Sequence, residues 1–188
     1  MLHNEMVPKV PPKRGTEIDE IARQTLLKAF SFVQNVFQQN ALIDFFDKGG
    51  LSELGFDYGV SELRYGEEAR YDPGSNSIIL SPETYGRLYV DNPRARFTLA
   101  HELGHATMHG AFLKSALDGR QPFQKVSRAT LVAFMDPEWQ ANRFAGAFLM
   151  PSSVLRQFLK TGMSKKKIAE TLRVSLVALS IRLQTINR

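Results

Sequence analysis

Apolar residues near the start of the chain recur with the period of an α-helix. Between residues 16 and 46 they return every three or four positions, and Gly49 and Gly50 follow. This spacing predicts one long N-terminal helix with a single apolar face. The apolar positions are Ile18, Ile21, Ala22, Leu26, Ala29, Phe30, Val33, Val36, Phe37, Leu42, Phe45 and Phe46. A face this wide and aromatic is typical of core packing; a docking surface for a partner or a second copy is the alternative.

The centre of the chain carries strand patterns. Residues 56–60 alternate in polarity, and residues 68–71 and 77–80 flank the turn sequence DPGSN. We therefore expect a β-hairpin and one further strand. A short helix is expected to begin at Pro82. Strands followed by helices indicate an α+β fold with a small sheet, whose edge strand could hold an extended peptide. The pattern does not say which strand forms that edge.

Two further helices are predicted after the strands. The first begins after Asn92, has a proline in its first turn and covers residues 93–109, where Gly110 is expected to end it. The second covers residues 137–150, again with a proline in its first turn, and stops before Pro151. Small residues along the second helix would allow it to approach the first closely.

The sequence HELGH, at residues 101–105, lies in the first of these helices. His101 and His105 are four positions apart, so their side chains lie about 40° apart on one face. Two imidazoles in this arrangement favour zinc. Glu102 lies on the neighbouring flank, where its carboxylate can take a proton from water activated by a metal. A chance match on a surface helix is the alternative, and the capped helix around the motif disfavours it.

A catalytic zinc needs three protein ligands and keeps one position for water. His109 lies on the same helix as His101, about 80° further round, which favours an orienting or helix-end role over ligation. Glu138, at the start of the second helix, is the better candidate for the third ligand, although a carboxylate there also suits the helix dipole. Asn142, one turn later, could orient Glu138 or a histidine, or could face solvent.

These motifs resemble the ImmA/IrrE family of bacterial and phage metallopeptidases. The resemblance is carried by RFTLAHELGH at residues 96–105, EWQANRFA at 138–145 and LMP at 149–151. It extends well over residues 68–151 and more loosely over residues 152–183.

The resemblance implies a zincin-like fold, with a small sheet beside two site helices, and one Zn²⁺ ion. His101, His105 and Glu138 correspond to the family's metal ligands, and Glu102 corresponds to its general base. Members of the family often cut or antagonise helix-turn-helix repressors, frequently from mobile elements or stress-response loci. The resemblance therefore implies a protein substrate, with such a repressor as the candidate.

Composition agrees with a small enzyme of the cytoplasm. The 188 residues are 43% apolar and 23% charged, which suits one compact domain with a small appendage. Cysteine is absent, which excludes disulfides and cysteine-ligated zinc. No run of 18 apolar residues occurs, so no membrane span is expected. Residues 1–15 are basic and rich in proline, and predict a disordered arm before a metallopeptidase domain at residues 16–151.

Residues 152–188 form a basic tail. Eight Lys or Arg against one Glu give it a net charge of +7, whereas the rest of the chain carries −2. Ser164 is expected to cap a helix over residues 165–172, and a second helix follows at 176–183. This predicts a C-terminal helical hairpin of helix-turn-helix type. The hairpin could contact DNA or an acidic partner; packing on the peptidase domain with a solvated basic face is the alternative.

We therefore hypothesise a zinc metalloendopeptidase in which Glu102 moves the proton between water and the leaving amine. The residue that stabilises the oxyanion stays open among Arg128, Tyr71, Tyr85 and His109. A non-proteolytic regulator, which binds a repressor partner or DNA, is the alternative function.

Overall fold

The computed structural model describes residues 5–8, 10–30, 37–120, 123–126 and 132–186. Within them the helices are α1 (Gly15–Ala29), α2 (Ala41–Asp47), α3 (Gly50–Glu53), α4 (Pro82–Leu88), α5 (Pro93–Leu117), α6 (Pro137–Leu149), α7 (Ser152–Lys160), α8 (Lys165–Leu172) and α9 (Leu176–Ile186). The strands are β1 (Glu5–Pro8), β2 (Asp57–Val60), β3 (Ala69–Asp72), β4 (Ser77–Leu80) and β5 (Phe123–Val126). The fold is mostly helical with little sheet, which confirms the α+β class.

β4 is the central strand of a three-stranded mixed sheet. β2 pairs with it in parallel and β3 pairs with it antiparallel, so the predicted hairpin and the further strand are confirmed. Ile78 and Leu80 of β4 are fully buried in the core, and α5 packs against β3 and β4. β3 is therefore an edge strand that lies directly beside the helix with the HELGH sequence. β1 and β5 form a separate antiparallel pair.

Helices α5 and α6 pack closely because a glycine lies at their contact. A Cβ atom placed on Gly104 would lie only 3.0 Å from the ring of Phe144, so a larger residue would push the helices apart. Phe144 stacks on Phe148 with 5.9 Å between ring centroids, and both are buried. This contact holds the middle of α6 against the middle of α5, where the histidines lie.

The prediction of one long N-terminal helix is wrong. α1 ends at Ala29, Phe30 has an extended backbone, and Asn40 has a left-handed backbone before α2 begins. The apolar face itself is real, because Ile18 and Leu42 are both buried in the same core. An unbroken helix over residues 16–46 would be about 46 Å long. A domain of this size is only about 40 Å across, so the chain must turn to keep that face covered.

The prediction that α5 ends near Gly110 is also wrong, because the helix continues to Leu117. A Cβ atom on Gly110 would lie 2.7 Å from the hydroxyl oxygen of Tyr71. The glycine therefore allows the helix to approach β3 and does not end it. The extension takes in the first residues of the stretch between the two predicted helices, and β5 lies further along that stretch.

The N-terminal arm was predicted to be disordered, and its described residues differ from that. Residues 5–8 form strand β1, Val10 is buried, and the Lys13 amide donates to the carbonyl of Phe134 at 3.0 Å. Pairing with β5 and the hydrogen bonds of Pro11 and Lys13 give these residues partners within the fold, and disorder of the arm as a whole stays a prediction.

The C-terminal helices form as predicted, with one more helix, α7, before them. The Ser164 hydroxyl accepts from the Lys167 amide at 3.3 Å, and α8 and α9 follow. Leu172 and Leu179 are buried in the same hydrophobic core as α6. The tail thus packs on the rest of the chain, and a domain boundary at residue 151 stays a prediction. None of the described helices is both long and apolar enough to cross a membrane.

Candidate metal centre

Two capped helices bring the candidate ligands together. The Asn92 side chain accepts from two amides in the first turn of α5, and the Asp136 carboxylate accepts from the Glu138 amide in the first turn of α6. Both helices therefore begin where the sequence predicts. His101 and His105 lie on one face of α5, and Glu138 reaches them from α6.

The donor atoms of these three residues have spacings close to those of a tetrahedral metal site. The Nε2 atoms of His101 and His105 are 3.0 Å apart. The Glu138 oxygens lie 3.4 Å from the first nitrogen and 3.3 Å from the second. Ligand atoms bound to one tetrahedral zinc are separated by about 3.3 Å, since each lies about 2.0–2.1 Å from the ion. The described trio could therefore hold a metal ion, and its donor set of two imidazoles and a carboxylate suits zinc.

The electrostatics of this cluster favour a bound positive charge. Hydrogen bonds from His101 and His105 hold the pKa of the Glu138 carboxyl far below its usual range. Burial lowers the pKa of His101, but the hydrogen bond with Glu138 and the nearby carboxylates outweigh it, so that this pKa is raised. Without a cation, the Glu138 carboxylate therefore stabilises a protonated His101. A metal ion bound by the same atoms would displace that proton.

Asn142 contacts His101 on the side away from Glu138. Its Oδ1 lies 3.1 Å from the His101 Nδ1, which as an N–H group would donate to it. In the neutral imidazole the hydrogen is then on Nδ1, which leaves the Nε2 lone pair for a metal ion. The sequence left open whether Asn142 faced solvent or a histidine, and the geometry favours the histidine.

A buried chain of hydrogen bonds runs from Gln140 through His109 to His105. It leaves the Nε2 lone pair of His105 free, as the Asn142 contact does for His101. Gln140 donates through Nε2 to the carbonyls of Pro11 (3.1 Å) and Phe134 (2.9 Å), so its Oε1 is left to accept from His109 Nε2 at 3.0 Å. Burial lowers the pKa of His109 to about 4, so its ring is neutral and its Nδ1 has a lone pair. That atom lies 3.1 Å from His105 Nδ1 and accepts from it, which leaves the His105 Nε2 lone pair for a metal.

Sequence reasoning missed Gln140 altogether. It is fully buried, and its two acceptors come from the N-terminal arm and from the segment just before α6. The sequence carried no clear signal for it, because Gln140 lies close to other polar residues of α6, namely Glu138, Asn142 and Arg143.

Glu102 lies beside the cluster with a fixed orientation. The backbone amide of Tyr71, on edge strand β3, donates to its Oε2 at 2.8 Å. Burial raises the pKa of the Glu102 carboxyl, against the lowering effect of the two neighbouring histidines and of this hydrogen bond. A carboxylate with a raised pKa is a stronger base than an exposed one, which suits proton transfer. A cation held by the histidines would lower this pKa again.

A groove of about 910 Å³ opens next to His101 and Glu102. The N-terminal half of β3, the first turns of α5, the start of α6 and one face of α9 form its walls. Its lining includes Glu68, Phe97, Trp139, Val177 and Ile181.

Residues 63–184 match the sequence model of the family Peptidase_M78, described as the IrrE N-terminal-like domain. The chain belongs to this family. The match confirms the resemblance to ImmA/IrrE proteins, and it covers the two site helices and most of the tail.

One solved structure similar to this member of the Peptidase_M78 family is a Mycobacterium tuberculosis transcriptional regulator. The similarity covers 91% of this chain, with 16% sequence identity and a TM-score of 0.56, and it concerns the fold alone. This chain spans about half of that protein, 48% of its length. Among curated proteins, none matches the chain by sequence.

The residues considered for oxyanion stabilisation have other contacts in this family member. The Tyr71 hydroxyl donates to Asn76 at 2.7 Å, and the Tyr85 hydroxyl bonds to Asp47. His109 is fully buried behind His105. Arg128 lies outside the described residues. The predicted trio and Glu102 do come together, and their roles stay predictions.

Proposed function

We propose that this chain is a zinc-dependent endopeptidase that hydrolyses a peptide bond in a protein substrate. One observation carries the proposal: two imidazole Nε2 atoms lie 3.0 Å apart, a Glu138 oxygen lies within 3.4 Å of each, and a second carboxylate, Glu102, is held beside them. Membership of the Peptidase_M78 family supports the same reaction class.

Each residue of the site has a separate role in the proposed reaction. His101, His105 and Glu138 would hold the ion, and the ion when bound supplies Lewis acidity for water and for a carbonyl. Glu102 takes a proton from the attacking water and returns it to the leaving amide nitrogen. The amide of Tyr71 holds Glu102 in position for both transfers.

The open edge of β3 would hold the substrate as an added strand. The Tyr71 amide points away from β4, towards Glu102. Because backbone groups alternate along a strand, the N–H and C=O of Ala69 point to the same side. An extended peptide paired there would pass directly in front of Glu102, which places its backbone next to the proton acceptor.

As the substrate we propose a repressor with a helix-turn-helix domain. The family resemblance implies such partners, and the structural neighbour is a transcriptional regulator. DNA is the less favoured partner for the tail, because α9 turns towards the groove and its one charged residue, Arg182, is buried.

Metal content and cleavage test the proposal together. The full chain should bind one zinc, measured by elemental mass spectrometry after dialysis, and should cut peptides from a synthetic pool of known sequences. A chelator should stop cleavage and added zinc should restore it. The variant Glu138→Ala should lose both zinc and cleavage, because two imidazoles alone hold zinc weakly.

The matched control is Glu83→Ala, since Glu83 is exposed and lies in the first turn of α4. It should retain zinc and activity. Zinc-independent cleavage by the purified wild-type chain would refute the proposal, as would full zinc binding by the Glu138 variant.

Gln140→Leu should weaken zinc binding without touching the ligands. The change keeps the side-chain volume but removes the acceptor that sets the protonated nitrogen of His109, and through it the orientation of His105. Loss of such an outer partner costs about 10–100-fold in metal affinity. Competition with a chromogenic chelator measures the affinity, and Gln157→Leu, at an exposed position, is the control. An unchanged zinc affinity in a folded Gln140→Leu protein would mean that the hydrogen bonds from Gln140 through His109 do not set the orientation of His105.

A further inference from the structure

One wall of the groove is an apolar face of α9. Val177 and Ile181 are four positions apart on this helix, with 69% and 59% of their surfaces exposed, and both line the groove. Phe97 and Trp139 line it from α5 and α6. Exposed apolar side chains that share one concave surface mark a binding site.

Several charged groups that line this groove already have ionic partners. Glu68 forms an ion pair with Arg94 at 2.8 Å. Arg143 and Arg182 both bind the carboxylate of Asp19. Since these charges are already paired, a bound segment would gain most by covering the apolar wall of the groove.

This face does not have the chemistry of a DNA-reading helix. In a helix-turn-helix module the second helix presents polar or basic side chains to base edges and phosphates. Exposed positions of α9 are instead Leu176, Val177, Ser180, Ile181 and Gln184.

We propose that α9 is the specificity wall of the peptidase groove, and that it selects substrate segments with bulky apolar side chains next to the cleaved bond. The occupant is an extended segment of the protein substrate, because the groove is continuous from Val177 and Ile181 to His101 and Glu102. This inference rests on the proposed function and adds the substrate class. It also gives the helix-turn-helix-like tail a role in peptide selection.

Cleavage profiles of the zinc-loaded full chain on a synthetic peptide pool test the inference. The wild type should favour a large aliphatic or aromatic residue at a fixed position within three residues of the cut. Val177→Glu and Ile181→Glu should each lower kcat/KM for those peptides by about 10–200-fold, the effect of one apolar contact in a pocket.

The control is Leu176→Glu, which changes an exposed apolar residue of the same helix that does not line the groove. It should keep the wild-type profile. Thermal unfolding midpoints within about 2 °C of the wild type would show that all three variants fold. Cleavage without an apolar preference, or a preference that survives both groove substitutions, overturns the inference and leaves the peptidase proposal intact.

A binding measurement tests the groove assignment even if the peptidase proposal fails. Glu102→Gln protein, alone and with Ile181→Glu, is incubated with the same pool, and retained peptides are identified by mass spectrometry. Retention of apolar peptides that Ile181→Glu abolishes supports the groove even if the wild type cuts nothing, and in that case only the peptidase proposal fails. Equal retention by both proteins overturns the groove assignment.

Discussion

Glu102→Gln should lower kcat for peptide cleavage by about 10²–10⁴-fold, the usual contribution of a positioned general base. The amide keeps the size of the carboxylate and can still accept from the Tyr71 amide, so the local structure is preserved. It cannot take a proton from water. Because Glu102 is not among the three clustered donors, zinc content should stay at one ion per chain. Single-turnover cleavage and elemental analysis of the same sample measure both quantities.

Glu53→Gln is the matched control, since Glu53 is exposed at the end of α3, and it should cut at the wild-type rate. Wild-type cleavage by Glu102→Gln would refute the assigned mechanism. A Glu102→Gln protein that no longer cuts but still relieves repression in cells would favour the alternative of a regulator that acts by docking.

Asp19→Ala should destabilise the protein by about 3 kcal/mol, the lower end for breaking a buried ion pair, because the carboxylate retains some contact with solvent. Asp19 on α1 binds Arg143 of α6 in a bidentate pair at 2.8 and 2.9 Å, and it binds Arg182 of α9 at 3.0 Å. Its removal leaves two largely buried guanidinium groups without their shared anion. For a chain of this length the unfolding midpoint should fall by about 6–12 °C.

Asp44→Ala is the control for this change, because the Asp44–Lys48 pair is exposed and should contribute at most about 1 kcal/mol. Urea titrations of both variants measure the difference. Equal urea midpoints for the two variants would show that the ion pairs of Asp19 do not stabilise the fold. Arg143 and Arg182 also line the groove, so the same variant should loosen its α9 wall.

The sequence determined the local parts of the metal centre. Four-residue spacing puts His101 and His105 on one face of any helix, and the caps at Asn92 and Asp136 fix where both site helices begin. These features depend on neighbours within one or two turns, so periodicity alone predicts them. Glu138 was named from its place on the second helix and from the family resemblance, and its position beside both histidines agrees.

Patterns read along the chain failed where distant segments competed for the same surface. The apolar stripe after residue 16 predicted one helix, yet α1 ends at Ala29 because the shared core is too short for a straight one. Gly110 was predicted to end a helix, but its missing side chain allows Tyr71 of β3 to approach α5 closely. In both cases a tertiary contact outweighed a local preference.

What the sequence alone settled was therefore the HELGH motif with its candidate ligands, the first residues of the two site helices and the family to which the chain belongs. The tertiary structure alone decided which outer residues orient the histidines, which strand forms the edge beside Glu102, and that α9 faces the groove. The reason is separation along the chain: Tyr71 and Glu102 are 31 residues apart and Asp19 and Arg182 are 163 apart. Contacts over such distances follow from packing in three dimensions, which no local period encodes.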